Sequence, residues 1–430
     1  MRVWLIPIGE PLPTDAGTPR LLRTGILASL MHRRGIEVTW WTSNFDHQRK
    51  VTRAATPASG RTAAGYGLEL LRGRPYWSNV SLARIRNHRQ LAADFRARAT
   101  QAPCPDVILC SYPTIELCEA AIDYGREQRI PVAIDIRDLW PDVFLDLLPA
   151  PLQPLGALTL RSMFEASRRT CRGAGAIIGI TDAFVDWGVG RAGRQRRRWD
   201  LAVPLGYEAT QPARADLERA RRDWDAMGVD QETFTLCFFG TLGRQFDIAT
   251  VFGAARRLLG QPVRFVICGD GDGAPAYRQA AADLPNVLMP GWVDAASIRT
   301  LMERSAAGLA PYHCGPSFTR SLPNKVVEYM AGGLPLLSCL TGEVDKLLRE
   351  EQCGITWSEG NAGSLVTAIE RLRLEPGLRS QMADNSAFVF RSRFVADTVY
   401  GRLSDHLCAL AAAGTESATT AYPSDPLNRP

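Results

Sequence analysis

The sequence predicts an α/β protein of two Rossmann-like domains, each with a parallel β-sheet covered by helices. Its 430 residues are too many for one ordinary hydrophobic core. Short apolar segments alternate with segments of helical periodicity, and this alternation begins again after residue 206. Because 46% of the residues are hydrophobic and 22% are charged, the composition is that of a globular enzyme.

The first strand–helix–strand unit indicates the parallel sheet of the first domain. Arg2–Ile8 is an apolar strand, and a loop rich in Gly and Pro follows it. Thr18 and Pro19 are typical of a helix N-cap and the first helical position, and Gly35 ends the helix. A strand at Ile36–Trp41 completes the unit, as parallel pairing requires. Further strands are expected at 106–110, 132–136, 176–180 and 203–206, and helices at 116–127 and 155–170.

The second half repeats the pattern. Strands are expected at 234–239, 263–268, 286–288, 308–311 and 334–338. Helices are expected at 248–259, 277–282, 295–303, 324–331, 343–349, 365–374 and 394–413. We therefore predict domains at 1–205 and 206–390, and a disordered tail at 414–430, which has no periodicity. Because ligands of such sheets bind at the carboxyl ends of the strands, two facing sheets predict a site in the cleft between the domains.

Cysteine usage and hydropathy indicate the compartment. The ten cysteines are scattered without a Cys-x-x-Cys pair, which favours a reducing compartment and no structural zinc. No apolar segment reaches the roughly 20 residues that a membrane-spanning helix needs. The N-terminus lacks the basic flank and cleavage site of a signal peptide. The sequence therefore predicts a cytoplasmic protein.

The two halves differ in charge. Residues 1–205 contain 28 Lys and Arg against 19 Asp and Glu, whereas the remainder contains 22 against 26. Five arginines lie between Arg191 and Arg198, and others occur along 84–98 among apolar residues. These arginines form either a solvated helix face or a patch that contacts anionic lipid or a phosphorylated acceptor. No nucleic-acid partner is expected.

Two glycine turns follow predicted strands of the second domain. In the first, Gly240 and Gly243 allow close backbone approach, and Arg244 can bind phosphate oxygens with two donors. The second, Gly269–Gly273, is not a dinucleotide-binding fingerprint, so no dinucleotide cofactor is expected, and the turn either contacts a nucleotide or is only a tight turn. Asp270 and Asp272 of this turn match the Asp-x-Asp motif of metal-dependent transferases, but no metal is predicted here. Steric demands alone also explain glycines at such turns.

The most informative segment is Ser321–Pro335. Pro323 begins a helix there, which leaves backbone N–H groups without partners. Lys325 and Glu328 are three residues apart and share one helix face. The cation suits a diphosphate, and the carboxylate can accept hydrogen bonds from both hydroxyls of a ribose. The alternative is a surface ion pair, which stabilises a protein only slightly.

With this segment the chain resembles the family 4 retaining glycosyltransferases of the GT-B fold, especially those that assemble bacterial polysaccharides. The resemblance covers most of the chain and is specific in the Pro-Asn-Lys-(x)2-Glu-Tyr-Met-Ala-Gly-Gly-Leu-Pro segment. It also includes the turn with Arg244, the segments Met289–Val293 and Ala310–Tyr312, and Asp135–Pro141 in the first half. It implies that the last helix, 391–413, crosses back to the first domain.

The resemblance implies where a nucleotide-sugar donor binds. Arg244 and Lys325 hold the diphosphate, with Gly17 facing it from the other domain, and Glu328 holds the ribose. The remaining implied contacts are the base at Trp292 and Val293, and the donor sugar or phosphate at Ser321 and Leu322. His313 lies close to the same segment along the chain, where it either contacts the sugar or has no role.

One departure from the family concerns the donor sugar. Family members often have two glutamates separated by seven residues, and Arg320 stands at the position of the first. The mechanism that the resemblance implies is front-face displacement without a metal, in which the leaving diphosphate helps to remove the acceptor proton. Arg137 and Asp138 follow a predicted strand of the first domain and are the candidate catalytic residues. They either orient the acceptor or act as a base, or else they form a structural pair.

The predicted function is a retaining transfer of a hexose-type sugar from a nucleotide sugar to a glycan or polyprenyl-phosphate-linked acceptor. Two alternatives remain: a sugar-nucleotide epimerase of the same fold, and an inactive nucleotide-binding scaffold, for which Arg320 is the one hint. A phosphorylase is less well supported, because no lysine lies in a context typical of pyridoxal phosphate.

Overall fold

The computed structural model describes residues 1–17, 19–53, 58–78, 81–146, 148–209 and 211–417. The chain divides into two units. Unit 1 contains Met1–Pro204 and the segment that begins at Ala396, and unit 2 contains Leu205–Val395.

Unit 1 is built on an eight-stranded sheet. Its elements are β1 (Arg2–Ile6), α1 (Arg23–Arg33), β2 (Glu37–Ser43), β3 (Phe45–Asp46), β4 (Val51–Thr52), β5 (Ser59–Arg61), β6 (Gly67–Leu71), α2 (Leu82–Ala99), β7 (Val107–Tyr112), α3 (Ile115–Gln128), β8 (Val132–Ile136), α4 (Asp142–Asp146), α5 (Gln153–Thr159), α6 (Arg161–Gly173), β9 (Ala176–Gly179), α7 (Asp182–Ala192) and β10 (Leu201–Ala202). The strand order is β10-β9-β8-β7-β1-β2-β6-β5, and only the β5–β6 pair is antiparallel. Strands β7 and β8 are buried along their whole length, as parallel strands covered on both faces are.

Unit 2 contains a six-stranded sheet in which every pair is parallel. Its elements are α8 (Arg214–Ala226), β11 (Phe234–Phe239), α9 (Ile248–Arg257), β12 (Val263–Cys268), α10 (Ala274–Ala280), β13 (Val287–Gly291), α11 (Ala295–Glu303), β14 (Ala307–Ala310), α12 (Pro316–Thr319), α13 (Asn324–Ala331), β15 (Leu336–Ser338), α14 (Glu343–Glu350), β16 (Gly354–Thr356), α15 (Ala362–Leu374) and α16 (Pro376–Arg393). The chain then returns to unit 1 with α17 (Ala396–Ser417).

Both sheets have the strand order of a doubly wound fold, which confirms the predicted fold class. The order reverses between β1 and β7 in unit 1, and between β11 and β14 in unit 2. Loops that leave the carboxyl ends of such neighbouring strands diverge to opposite faces, and ligands bind in the space that they leave. A ligand site in unit 2 is therefore expected at the loops after β11 and β14.

The first helix begins later than predicted. Helix α1 starts at Arg23 rather than after Thr18 and Pro19, and Thr18 lies outside the described residues. Tertiary contacts replace the local cap: the carboxylate of Glu10 accepts a hydrogen bond from the Thr24 amide at 3.0 Å. The buried guanidinium of Arg23 donates to Asp135 at 2.9 Å. Because these partners are distant in sequence, the local N-cap pattern was misleading.

Several other boundaries differ from the predictions. The predicted helix at 155–170 is two helices, α5 and α6, that meet at Leu160, and the last strand of unit 1 is β10 rather than 203–206. Strands β5, β6 and β16 were not predicted. Helix α17 continues to Ser417, so residues 414–417 are helical rather than disordered, and the rest of the predicted tail lies outside the described residues. No helix in the described part of the chain is long and apolar enough to cross a membrane.

Candidate functional site

Backbone hydrogen bonds join the loops after β11 and β14 at the carboxyl edge of the unit 2 sheet. The amide of Asp247 donates to the Pro311 carbonyl at 2.7 Å, and the amide of His313 donates to the Gln245 carbonyl at 3.0 Å. Phe246 and Tyr312 form an antiparallel bridge between these two bonds. The two loops thus form one continuous surface, at the position where a doubly wound sheet binds its ligand.

The two glycine turns of unit 2 pack directly against each other. The Gly240 amide donates to the Cys268 carbonyl at 3.0 Å, and Gly240 and Gly269 have φ values of +144° and +135°. A Cβ atom on Gly269 would lie 1.8 Å from the Gly240 carbonyl oxygen. Glycine is therefore required at position 269, because the backbone of the first turn occupies the space that a side chain would fill.

Lys325 projects onto the first of these turns. Its Nζ donates a hydrogen bond to the Phe239 carbonyl and lies 4.9 Å from the centre of the Phe238 ring. A Cβ atom on Gly240 would lie 1.9 Å from this Nζ. The ammonium group is thus held directly beneath the glycine turn that ends in Arg244, whose side chain is exposed.

The amino end of α13 adds positive potential at the same place. Helix α13 begins at Asn324, as predicted, and its N-cap residue Pro323 offers no side-chain cap. Its first turn contains no acidic residue. Because N–H groups at a helix start carry partial positive charge, this end of α13, Lys325 and Arg244 together favour an anion.

Glu328 is buried, which excludes the surface ion pair considered for it. Its exposed fraction is 8%, and it lies one turn after Lys325 on α13. Burial raises the pKa of Tyr312, and the negative charge of Glu328 raises it further. The carboxylate of Glu328 therefore lies close to the loop that follows β14.

His313 is held by a residue that the sequence did not indicate. Its Nδ1 lies 2.7 Å from a carboxylate oxygen of Glu359, and the Cys314 amide donates to the other oxygen at 3.1 Å. Burial acts to raise the pKa of Glu359, but the hydrogen bonds from His313 and Cys314 outweigh it and lower the pKa. Glu359 follows the short strand β16, so no local pattern linked it to this site.

The other predicted donor contacts lie on neighbouring loops of unit 2. The amide of Ser321 donates a hydrogen bond to the Phe318 carbonyl at 3.2 Å, so this N–H group already has a partner within its own turn. The next residue, Leu322, is half-buried. Trp292, beyond the end of β13, is 77% exposed, and Val293 is half-buried.

The Asp-x-Asp turn has a cation beside it. Asp270 pairs with Arg278 at 3.6 Å. The described residues contain no group of three side chains that could bind a metal ion together.

The predicted residues of unit 1 have different surroundings. The guanidinium of Arg137 donates to Glu10, to Asp135 and, at 3.0 Å, to Thr24, so an ion network holds Arg137 in place. Gly17, in the loop after β1, has a φ of +89° and no atom within 4 Å of where a Cβ would lie.

Asp138 is held in place by its neighbours. Its carboxylate accepts hydrogen bonds from the Leu139 amide at 2.9 Å and from Trp140 Nε1 at 3.2 Å. Burial raises its pKa. These contacts fix the orientation of the carboxylate.

Substitution of Gly240 tests the packing beneath the turn. We expect Gly240→Ala to lower the free energy of unfolding by about 1–3 kcal/mol, because the new methyl group meets Lys325 Nζ and the backbone is strained. Gly260→Ala is the matched control, since Gly260 also has a positive φ (+80°) but no atom within 4 Å of its Cβ position. Urea unfolding compares the two variants. An equal loss of unfolding free energy in Gly240→Ala and Gly260→Ala would show that backbone strain alone, and not the contact with Lys325, accounts for the effect at Gly240.

Comparisons with known proteins identify similarities in unit 2 and in the fold. Residues 233–374 match the family model of group 1 glycosyl transferases. Alpha-D-kanosaminyltransferase of Streptomyces kanamyceticus is 27% identical over 235 residues, which are 52% of this chain and 57% of that protein. The alignment thus spans little more than half of either protein.

Two solved structures resemble almost the whole chain. Sucrose-phosphate synthase of Thermosynechococcus elongatus has a TM-score of 0.72 and 14% identity, over 96% of this chain and 99% of that one. Anabaena HepE in complex with UDP-glucose has a TM-score of 0.64 and 16% identity, over 95% and 100%. At these identities the likeness shows the fold alone. The chain therefore has the GT-B fold, and residues 233–374 carry its similarity to the group 1 glycosyltransferases.

Proposed function

We propose that this protein is a glycosyltransferase that takes a hexose-type sugar from a nucleoside-diphosphate sugar bound by unit 2. The observation that carries the proposal is the position of Lys325 Nζ beneath the glycine turn that ends in Arg244. A diphosphate at this turn would meet two cations and the amino end of α13. The family match at 233–374 spans all three features, and a protein of the same fold was crystallised with UDP-glucose.

Each residue of the site has a proposed role. Arg244 and Lys325 bind the diphosphate, and the buried Glu328 accepts hydrogen bonds from the ribose. The residues proposed at the ends of the donor are Trp292 and Val293 for the base, and Leu322, Ser321 and His313 for the sugar and its phosphate. Glu359 positions the ring of His313 and supplies an acidic group near the sugar, where Arg320 replaces the usual family glutamate.

We propose a retaining, front-face displacement that needs no metal. The bond between the sugar and the diphosphate breaks as the acceptor oxygen attacks from the same face, and the leaving diphosphate takes the acceptor proton. Charge develops on the departing phosphate, and Lys325, Arg244 and the amino end of α13 can stabilise it. Asp138, oriented by Trp140, is proposed to hold the acceptor hydroxyl.

The acceptor is proposed to be a glycan or a polyprenyl-phosphate-linked sugar of a cell-surface polysaccharide. The test is incubation with labelled UDP-, GDP-, ADP- and TDP-sugars and a bacterial lipid extract, with EDTA present. Transfer of label to the lipid fraction, with an unchanged anomeric configuration by NMR, is expected. An isomerised sugar nucleotide formed from donor alone would indicate the epimerase instead, and activity that requires added manganese would contradict the metal-free mechanism.

We further propose that unit 1 contacts the inner face of a membrane, but not through Arg191–Arg198. Three of those arginines are ion-paired: Arg191 with Asp142, Arg194 with Asp200, and Arg196 with Asp182 and Asp186. A better surface lies at α5 and α6. Leu152, Leu155 and Leu158 are 50%, 62% and 66% exposed.

The charge beside these leucines is complementary to anionic lipid. The exposed face of α6 carries Arg161, Arg168, Arg169 and Arg172, whereas its opposite face is buried. Two of these arginines are ion-paired, Arg161 with Glu165 and Arg169 with Glu119 of α3, so the proposed contact depends on the exposed leucines together with Arg168 and Arg172. Exposed leucines next to a basic helix face are the arrangement by which peripheral proteins bind anionic bilayers.

Replacing the three leucines by serine should weaken binding to vesicles of anionic phospholipid at least tenfold, because about 1 kcal/mol or more of burial is lost per side chain. Cosedimentation with vesicles measures this. The control variant replaces Leu259 and Leu374 of unit 2 by serine. The exposed fractions of these two side chains are 43% and 66%. Equal binding by the α5 variant and the wild type would refute the assignment. A change in oligomeric state without vesicle binding would instead indicate a contact between copies of the chain.

A further inference from the structure

One buried carboxylate joins three loops at the carboxyl edge of the unit 2 sheet. Asp247, in the loop after β11, is 7% exposed. Its carboxylate accepts hydrogen bonds from the Thr250 amide at 3.1 Å, from the Thr250 hydroxyl at 2.6 Å and from the Gly360 amide at 3.1 Å. Its own amide donates to the Pro311 carbonyl, in the loop after β14. Since Gly360 follows β16, Asp247 holds the loops after β11, β14 and β16 together.

The bond to Gly360 is more than a helix cap requires. Asp247 is the N-cap residue of α9, a position that serine, threonine and asparagine also favour. A carboxylate differs from these side chains in offering acceptors on both oxygens, so that Oδ1 caps α9 while Oδ2 binds the Gly360 amide. A buried charge is costly unless hydrogen bonds satisfy it. The bond to Gly360 is therefore a second role of Asp247, distinct from the cap.

Glu359, directly before Gly360, fixes the protonated nitrogen of His313. Burial raises the pKa of Glu359, but the hydrogen bonds from His313 and Cys314 outweigh burial and lower it. The carboxylate is therefore ionised at neutral pH, where it can only accept hydrogen bonds. His313 Nδ1, 2.7 Å away, must then carry a proton. In the neutral imidazole the other nitrogen, Nε2, is consequently an acceptor.

This acceptor nitrogen is open to a ligand. The His313 side chain is 51% exposed, and among the described residues its ring bonds only to Glu359, through Nδ1. The His313 amide donates to the Gln245 carbonyl, two residues before Asp247, so the same loops also hold its backbone. The ring is thus fixed both in position and in tautomer before any ligand arrives, which lowers the entropic cost of binding.

We propose that His313 Nε2 accepts a hydrogen bond from a hydroxyl group of the donor sugar, with Glu359 and Asp247 as positioning residues. Glu359 sets the tautomer of the ring, and Asp247 holds Glu359 through the neighbouring amide of Gly360. The ligand class is a sugar that presents a hydroxyl donor to this loop. The contact with the sugar rests on the proposed function, whereas the tautomer and its anchor do not.

Nitrogen-15 NMR of the His313 ring, recorded at alkaline pH, tests the tautomer without a ligand. We expect the Nδ1–H tautomer in the wild type and a mixture of tautomers in Asp247→Asn and in Glu359→Gln. In Asp247→Asn the side-chain oxygen can still cap α9, but its NH2 group faces the Gly360 amide, donor against donor. In Glu359→Gln the amide can either accept from Nδ1 or donate to it.

Asp230→Asn is the matched control for the loss of an aspartate. Asp230 also accepts hydrogen bonds from two backbone amides, but it lies before β11, at the opposite edge of the sheet. This variant should retain the wild-type tautomer. A mixture of tautomers in the wild type would overturn the proposal, and an unchanged tautomer in Asp247→Asn would overturn the role of Asp247.

Calorimetry tests the contact with the sugar, using UDP-, GDP-, ADP- and TDP-glucose and the four corresponding nucleoside diphosphates. Asp247→Asn and Glu359→Gln should each weaken binding of the sugar nucleotide about 3- to 10-fold, the worth of one neutral hydrogen bond, and leave the nucleoside diphosphate unchanged. The double variant should bind no more weakly than Glu359→Gln alone, because Asp247 acts through Glu359. Equal losses for both kinds of ligand in Asp247→Asn would show a structural role alone and overturn the proposal.

Monodeoxyglucose analogues of the bound nucleotide identify the hydroxyl group. The wild type should bind the glucose nucleotide more tightly than one of these analogues, and Glu359→Gln should lose that preference. An equal preference in both proteins would overturn the contact at Nε2. If no sugar nucleotide binds the wild type, the proposed function fails, and the NMR result alone decides whether Glu359 and Asp247 fix the His313 tautomer.

Discussion

Lys325→Met is expected to weaken donor binding at least about 30-fold while leaving the fold intact. The loss corresponds to about 2 kcal/mol or more, the usual cost of truncating one partner of a desolvated, hydrogen-bonded charge pair. Methionine retains the apolar stem that packs near Phe238 and Phe246. The Phe239 carbonyl loses one donor, which costs about 1 kcal/mol of stability.

The sequence provides a matched control for this experiment. The chain contains three lysines, and Lys346 is exposed on α14 of the same unit. Lys346→Met makes the same change in charge away from the glycine turns. Calorimetric titration with the donor compares both variants with the wild type. Equal donor affinities in the two variants would show that Lys325 does not bind the diphosphate.

Glu328→Gln is expected to weaken donor binding about 10- to 100-fold through the ribose alone. Replacing the carboxylate by an amide of the same size weakens a charge-assisted hydrogen bond, which is worth about 1.5–3 kcal/mol. Because Glu328 is only 8% exposed, its carboxylate is shielded from bulk water. The melting temperature should not fall, since a neutral amide is easier to bury than a carboxylate.

A modified nucleotide makes this prediction specific. The wild type should bind the ribonucleoside diphosphate more tightly than its 2′,3′-dideoxy analogue, and Glu328→Gln should lose most of that preference. Glu350→Gln, at an exposed position on α14, should retain it. A Glu328 variant that is destabilised but discriminates between the two nucleotides as the wild type does would refute the ribose assignment.

The strands and the donor loops were largely predictable from local sequence. Strands at 132–136, 234–239 and 263–268 and helix Asn324–Ala331 have the predicted bounds, because apolar runs and a proline at the helix start are local signals. The turn at Gly240 was predictable as a close backbone approach. That Lys325 fills the space beneath it was not, because this contact joins residues 85 positions apart.

What the sequence did not reveal depends on contacts between distant residues. Glu359 follows a three-residue strand that lacks a clear pattern, so its hydrogen bond to His313 appears only in the folded chain. The ion pair of Arg137 with Glu10 joins residues 127 positions apart, so it too was not predictable from local sequence.

The central claim is that unit 2 binds a nucleoside-diphosphate sugar through Lys325 without a metal. A thermal-shift panel of UDP-, GDP-, ADP- and TDP-sugars in EDTA, run on the wild type and Lys325→Met, tests it most directly. A ligand that binds only the folded protein raises its melting temperature. The account predicts that at least one sugar nucleotide raises the wild-type melting temperature by several degrees and has little effect on the variant. No shift with any of them, or an equal shift in both proteins, would contradict it.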